Sequence, residues 1–145
     1  MKRINVSTGT TWEPIVGYSR LVRAGPFVFV TGTTATLPDG GHVDGGALAQ
    51  TRQAVANVLR GLKAVGADAR DVVRTRIYVT HIARDWRAVG RAHAEAFGAF
   101  RPATSMVEVR RLIEDWMLVE IEADAIIGLR RTETRVLPAG TPTRP

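Results

Sequence analysis

The spacing of apolar positions changes several times along this chain, and each change marks an element. Leu21 to Arg23 and Phe27-Val28-Phe29-Val30-Thr31 are short runs rich in β-branched and aromatic residues. The turn Ala24-Gly25-Pro26 between them predicts a hairpin. Leu37-Pro38-Asp39-Gly40-Gly41 reads as a loop, because its glycines lack the strand-loop-helix context of a phosphate cradle. From Ala47 to Val65, residues Leu48, Val55, Leu59, Leu62 and Val65 recur at helical spacing and Gly66 supplies a stop, which predicts an amphipathic helix. Arg74 to Thr80 alternates, with Val73, Thr75, Ile77 and Val79 on one side and Arg74, Arg76, Tyr78 and Thr80 on the other.

A second helix is predicted from about Asp85 to Phe100, with Trp86, Val89, Ala92, Ala96, Phe97 and Phe100 as its apolar stripe and Arg101-Pro102 as its end. Two strands follow, Ser105 to Val109 and Met117 to Ile127, joined by a loop around Ile113 to Asp115. In the last strand Val119, Ile121, Ala123, Ala125 and Ile127 alternate with Leu118, Glu120, Glu122, Asp124 and Ile126. The order is strands, helix, strand, helix, strands. Two helices cover only one face of such a sheet, so the other must meet water or another subunit. Its mixture of Glu120, Glu122 and Asp124 with Leu118 and Ile126 is too polar for a monomer core and too apolar for a solvated surface. The expectation is a subunit interface with polar clefts.

Composition narrows the classes. One domain, residues 1–129, accommodates the 145-residue chain with its 45% hydrophobic content. Residues 130–145, with Pro138, Gly140, Pro142 and Pro145, show no periodicity and are expected to be a flexible tail. Cysteine is absent, which removes disulfides, thiolate metal sites and thiol nucleophiles and fits a cytoplasmic protein. No run of about 18 apolar residues predicts a membrane span. The net charge of +6 invites a nucleic-acid reading. Yet 18 of the 20 basic residues are arginines scattered along the chain, four of them in the tail, without interleaved aromatics, so nucleic acid is not the expected partner. His42, His81 and His93 are not at metal-ligand spacing, and no metal is expected. Gly17-Tyr18-Ser19-Arg20 is not a nucleophile elbow.

Three segments carry a resemblance: Gly17-Tyr18-Ser19-Arg20 ahead of Phe29-Val30-Thr31-Gly32-Thr33, Arg101-Pro102-Ala103-Thr104-Ser105-Met106-Val107-Glu108-Val109, and Val119-Glu120-Ile121-Glu122-Ala123. Together they resemble the Rid (YjgF-like) superfamily over roughly residues 15 to 128. The resemblance implies a chorismate-mutase-like α+β fold, one mixed sheet with two helices on one face, assembled as a trimer with small-molecule clefts between subunits. It further implies cofactor-free hydrolysis of enamines and imines, in which an arginine of a Pro-Ala-Arg-Ser signature grips the substrate carboxylate and a glutamate on the last strand positions or activates water. The glutamate is matched by Glu120. The arginine is replaced by Thr104. A tyrosine many members place near the pocket aligns with Ser19, a small polar residue with Thr31, and a common cysteine after the signature with Met106.

Glu120 is therefore the candidate catalytic group, against the plainer reading of an interface glutamate paired with an arginine. Ser19, Arg20, Thr31, Gly32, Thr33, Arg101, Thr104, Ser105 and Met106 are the candidate substrate-binding residues. Arg20 and Arg101 are the possible substitutes for the lost arginine, or else intersubunit ion-pair partners. His93 reads first as a packing residue of the second helix, and Trp116 as a possible cover for a cleft. Two functions from different classes follow. One is a deaminase-like hydrolase or tautomerase acting on a substrate other than simple amino-acid-derived imines. The other is a non-catalytic trimer that binds metabolites or a partner. Ribonuclease activity ranks third, since the sequence offers no histidine pair or basic groove.

Overall fold

The turn at Gly25, whose φ of 60° favours glycine, joins β2 (Leu21–Ala24) to β3 (Phe27–Thr33) as the predicted hairpin. The structure, a computed structural model, describes residues 1–130 and 132–137. Two elements go beyond the sequence expectation: β1 (Arg3–Val6), which extends the hairpin along β2, and the short helix α1 (Trp12–Val16). The remaining elements are α2 (Ala47–Ala64), β4 (Val72–Val79), α3 (Ile82–Phe97), β5 (Ala103–Glu108) and β6 (Val119–Ile126). The strands form one mixed sheet in the order β1-β2-β3-β6-β4-β5, antiparallel except between β4 and β5. That parallel pair requires the crossover that α3 supplies.

Both long helices lie on one face, α2 over β3 and β6 and α3 beside β4 and β5, and they pack on each other. Leu21, Val28, Val58, Leu62, Ile77, Val79, Val89, Phe97, Val119 and Ile121 fill the layer between helices and sheet. Among the described residues the opposite face carries no layer, and Phe27, Phe29 and Val107 stay 44%, 50% and 46% exposed there. Among the described residues no helix is long and apolar enough to cross a membrane.

Three local expectations need correction. Helix α3 begins at Ile82 and stops at Phe97 rather than spanning 85–100, and Arg101 follows in a left-handed conformation, φ 51°, its amide donating to the Phe97 carbonyl at 2.8 Å. Trp86 is half exposed, because its position on the helix points away from the sheet. In β4 the register shifts between Val72 and Arg74, so Val72 is buried in place of Val73 while Thr75, Ile77 and Val79 keep the predicted face. Of the tail expected from 130, residues 132–137 are exposed coil, and 131 and 138–145 lie outside the described residues.

Candidate active-site face

Alternation along β6 buries Val119, Ile121, Ala123 and Ala125 under the helices and turns Glu120, Glu122 and Asp124 to the open face. Glu120 lies between β3 and β4, opposite Tyr78, with its carboxyl directly over Gly32. A Cβ at position 32 would collide with that carboxyl, so glycine is what lets the glutamate settle against the β3 backbone, next to the bulge between Val30 and Thr33. Burial pushes the Glu120 carboxyl above its ordinary range; the Glu122 charge adds to this and the Arg20 charge partly offsets it. Glu13 behaves oppositely. Burial would raise it too, but the hydroxyl of Ser7 and the amide and hydroxyl of Thr8 all donate to its carboxylate, and the net shift is downward.

Around Glu120 the open face is a charged lattice. Arg76 reaches Glu122 at 3.5 Å and Asp124 at 3.2 Å, and the Tyr78 hydroxyl donates to Glu122 at 3.4 Å. Burial and the neighbouring Glu122 carboxylate raise the Tyr78 phenol. Thr31 and Ser19 line a depression on the same face with Phe29, Glu122 and Asp124, and the Ser19 hydroxyl accepts from the Asn5 amide at 2.8 Å. Arg20 donates to the Gly32 carbonyl at 2.8 Å and the Thr33 hydroxyl at 3.3 Å. It braces the strand beneath Glu120 more than it offers a free guanidinium. Thr33 itself is buried, 3% exposed.

Within one chain Thr104 does not stand beside Glu120, and the proximity expected of the two is one between subunits. Thr104 pairs in register with Thr75, the buried side of β4, and bonds to its hydroxyl, while Met106 packs against the core. Ser105 alternates to the open face with Arg76. Thr104 and Glu120 therefore occupy opposite faces of the sheet, and only a second copy can bring both into one cleft. Arg101 is also displaced: it borders a separate cavity with Arg70, Phe100, Leu129 and Arg130, beyond the end of β4 that is farther from Glu120. Trp116 stacks on His42 at 4.2 Å, and its carbonyl accepts from the buried Gln50 amide at 2.9 Å, so it seals a loop. Among the described residues no group of three His, Asp or Glu is placed to hold a metal.

The sequence profile of the family described as Endoribonuclease L-PSP matches residues 8–127 of this sheet-and-two-helix unit. The chain belongs to the YjgF/Rid family. Rv2704 of Mycobacterium tuberculosis, a solved member of the YjgF/YER057c/UK114 family, superposes with a TM-score of 0.80 at 52% identity, covering 87% of this chain and 100% of that one. An uncharacterized Streptomyces coelicolor protein is 37% identical over 123 residues, 85% of this chain and 91% of its own length. The 2-iminobutanoate/2-iminopropanoate deaminase of Escherichia coli is 33% identical over 124 residues, 83% of this chain and 95% of its own length.

Sequence reasoning missed three participants that this Rid-family chain gathers near its candidate residues. Tyr18 lies beneath the Arg20 guanidinium, 5.6 Å from ring centre to Cζ, and its hydroxyl accepts from Arg20 at 3.3 Å. Arg74 lines the cavity of about 330 Å³ along β5 that Thr104 and Ser105 border. Thr75, fully buried, bonds to Thr104 and to His93. The alternation of β4 carried part of this signal, since it places Arg74, Arg76 and Tyr78 on the Glu120 face.

Proposed function

We infer that this chain works as a homotrimer, and that Glu120 handles the proton in cofactor-free hydrolysis or tautomerisation of a C=N or C=C–N bond. The substrate is other than a simple amino-acid-derived imine. The observation carrying this reading is the Glu120 carboxyl itself. It is half-buried on the uncovered face and held over Gly32, and burial raises it toward the range where a carboxylate both takes and returns a proton at neutral pH. In the hydrolytic direction Glu120 removes a proton from water, the water oxygen bonds to the imine carbon, and the proton passes to the substrate nitrogen. Glu120 then relays the hydroxyl proton of the resulting carbinolamine to the nitrogen, and the C–N bond breaks as the C=O bond forms, leaving a carbonyl compound and ammonia. Amides around Thr31 to Thr33 and Ser105 to Val107 are the candidates to hold developing negative charge.

The name of the E. coli relative supports the reaction class, and the threonine at position 104 argues for a different substrate. The half-apolar open face, with Phe27 and Phe29 uncovered, supports assembly. The test pairs light scattering with ammonia release from a panel of imines. A trimer that releases ammonia from at least one imine, with activity lost in Glu120→Gln, is expected. A monomer, or turnover indifferent to Glu120→Gln, would refute the reading. A trimer that binds these compounds without turning any over would point to a binding role.

A further inference from the structure

The end of α3 favours glycine by its geometry and carries arginine instead. The Phe97 carbonyl accepts from the Phe100 amide at 2.9 Å and the Arg101 amide at 2.8 Å, and Arg101 takes a left-handed φ of 51° to close the helix. Every other positive φ among the described residues belongs to a glycine. A side chain is crowded in that conformation, and Pro102 after it favours extended backbone at 101. Glycine would close the helix without that cost, so the turn does not account for the arginine.

The cavity that Arg101 borders does account for it. The volume is about 330 Å³, at the small end for a ligand site, with Arg70 and Arg130 also on the border and Phe100, Pro102 and Leu129 as apolar walls. Among the described residues no aspartate or glutamate borders it. Arg70 pairs with Asp68 at 3.3 Å, whereas Arg101 and Arg130 have no carboxylate within ion-pair distance among the described residues. Asp71, next to Arg70 in the chain, is already occupied: it accepts from the Gly128 amide at 3.2 Å and the Asp68 amide at 3.0 Å. Three guanidinium charges, less the one that Asp68 answers, leave two. Guanidinium forks match the oxygens of a phosphate, and a phosphate monoester carries close to two negative charges near neutral pH.

We propose that this cavity binds a phosphate monoester of a small apolar alcohol, its phosphate held by Arg70, Arg101 and Arg130 and its apolar part set against Phe100 and Leu129. The site lies beyond the end of β4 farther from Glu120 and does not depend on the reaction read there.

The probe is phenyl phosphate, titrated into the full chain and followed by NMR. Three matched compounds each lack one feature: inorganic phosphate the apolar part, phenol the phosphate, and benzoate the second charge. Phenyl phosphate is expected to bind at least about tenfold more tightly than any of them, a difference of roughly 1.4 kcal/mol, and to shift the signals of Arg70, Phe100 and Arg101. Arg101→Gly should weaken phenyl phosphate about tenfold or more while its melting temperature stays level or rises, because the left-handed residue is relieved. Arg130→Gln, a change in exposed coil that leaves the fold intact, should weaken it about threefold or more. Inorganic phosphate or benzoate bound as tightly, signals shifted only around Glu120, or affinity unchanged in either variant would each overturn the proposal. So would a lowered melting temperature for Arg101→Gly, since the side chain would then serve the fold.

Discussion

The two faces of β6 sit on one backbone, yet they lead different lives. Val119, Ile121 and Ala123 are 0% exposed beneath α2, while Glu120, Glu122 and Asp124, one residue away in each case, look out from a face that no element among the described residues covers. Burial on the first face removes apolar area from water and supplies stability. On the second, half-burial does something else. It raises Glu120, couples Tyr78 to Glu122, and ties Arg76 to two carboxylates. A single strand thus divides support from chemistry by the period of the pleat.

The contrast is broken most severely at neighbouring residues. Ile121→Ala should cost about 2–5 kcal/mol of folding stability, as large-to-small changes in closed cores do, whereas Glu120→Ala should cost far less. Urea melts of both variants check this, and equal losses would mean that the open face is as much a core as the other.

Next in size is the exchange at Thr104. Wild-type protein should hydrolyse 2-iminopropanoate poorly, and Thr104→Arg should raise the rate on the order of a hundredfold, about 2.7 kcal/mol, because a two-pronged arginine–carboxylate contact is a strong charged pair. Robust wild-type turnover, lost on changing Arg20, Arg74 or Arg101, would show instead that another arginine already grips the carboxylate. Of these, Arg20 is the most committed, through its bonds to Gly32 and Thr33.

Phe29→Asp, on the open face and 50% exposed, should weaken subunit association about tenfold or more while leaving the circular dichroism of the subunit unchanged. Sedimentation across a dilution series reads it directly, and undiminished association would place the interface elsewhere.

The smallest effect is also the one whose sign is least intuitive. The Glu120 pKa is raised in the folded chain, so its contribution to stability is fully present below the ordinary carboxylate pKa and is lost as pH rises through the folded value. Glu120→Gln should therefore melt slightly above wild type at pH 7, and the advantage should vanish in acid below the unfolded pKa. An advantage that grew in acid would mean the carboxylate is stabilised in its charged form, as Glu13 is by its three donors.

How much of the fold and of the site is legible in the sequence depends on how strongly each segment repeats. The 3.6 period of α2 and the strict alternation of β6 are set by burial on one side, and they announce their elements and faces within a residue or two. β1, four residues with no fully buried position, and α1, five residues long, have no such period to show. β5 fails more instructively. It is a free edge, only Met106 of its six residues is even partly buried, and so the chain carries no alternation from which to tell that Thr104 turns toward the helices while Ser105 turns away.

The periodic hydrophobic pattern by itself determined that there would be one sheet with two helices on one side and a half-polar face on the other, because apolar spacing reports which side of an element leaves water. The three motif segments determined the family and the absence of arginine at position 104. Only the tertiary structure decided that Arg20 is spent on the β3 backbone, that Glu120 rests on Gly32, that Arg101 borders a different cavity, and that Thr104 is linked through Thr75 to His93. Each of these depends on partners a dozen or more residues apart in sequence. Side-chain hydrogen bonds and charge contacts at such separations leave no period in a chain, since they are made by the packing of elements and not by the spacing within one.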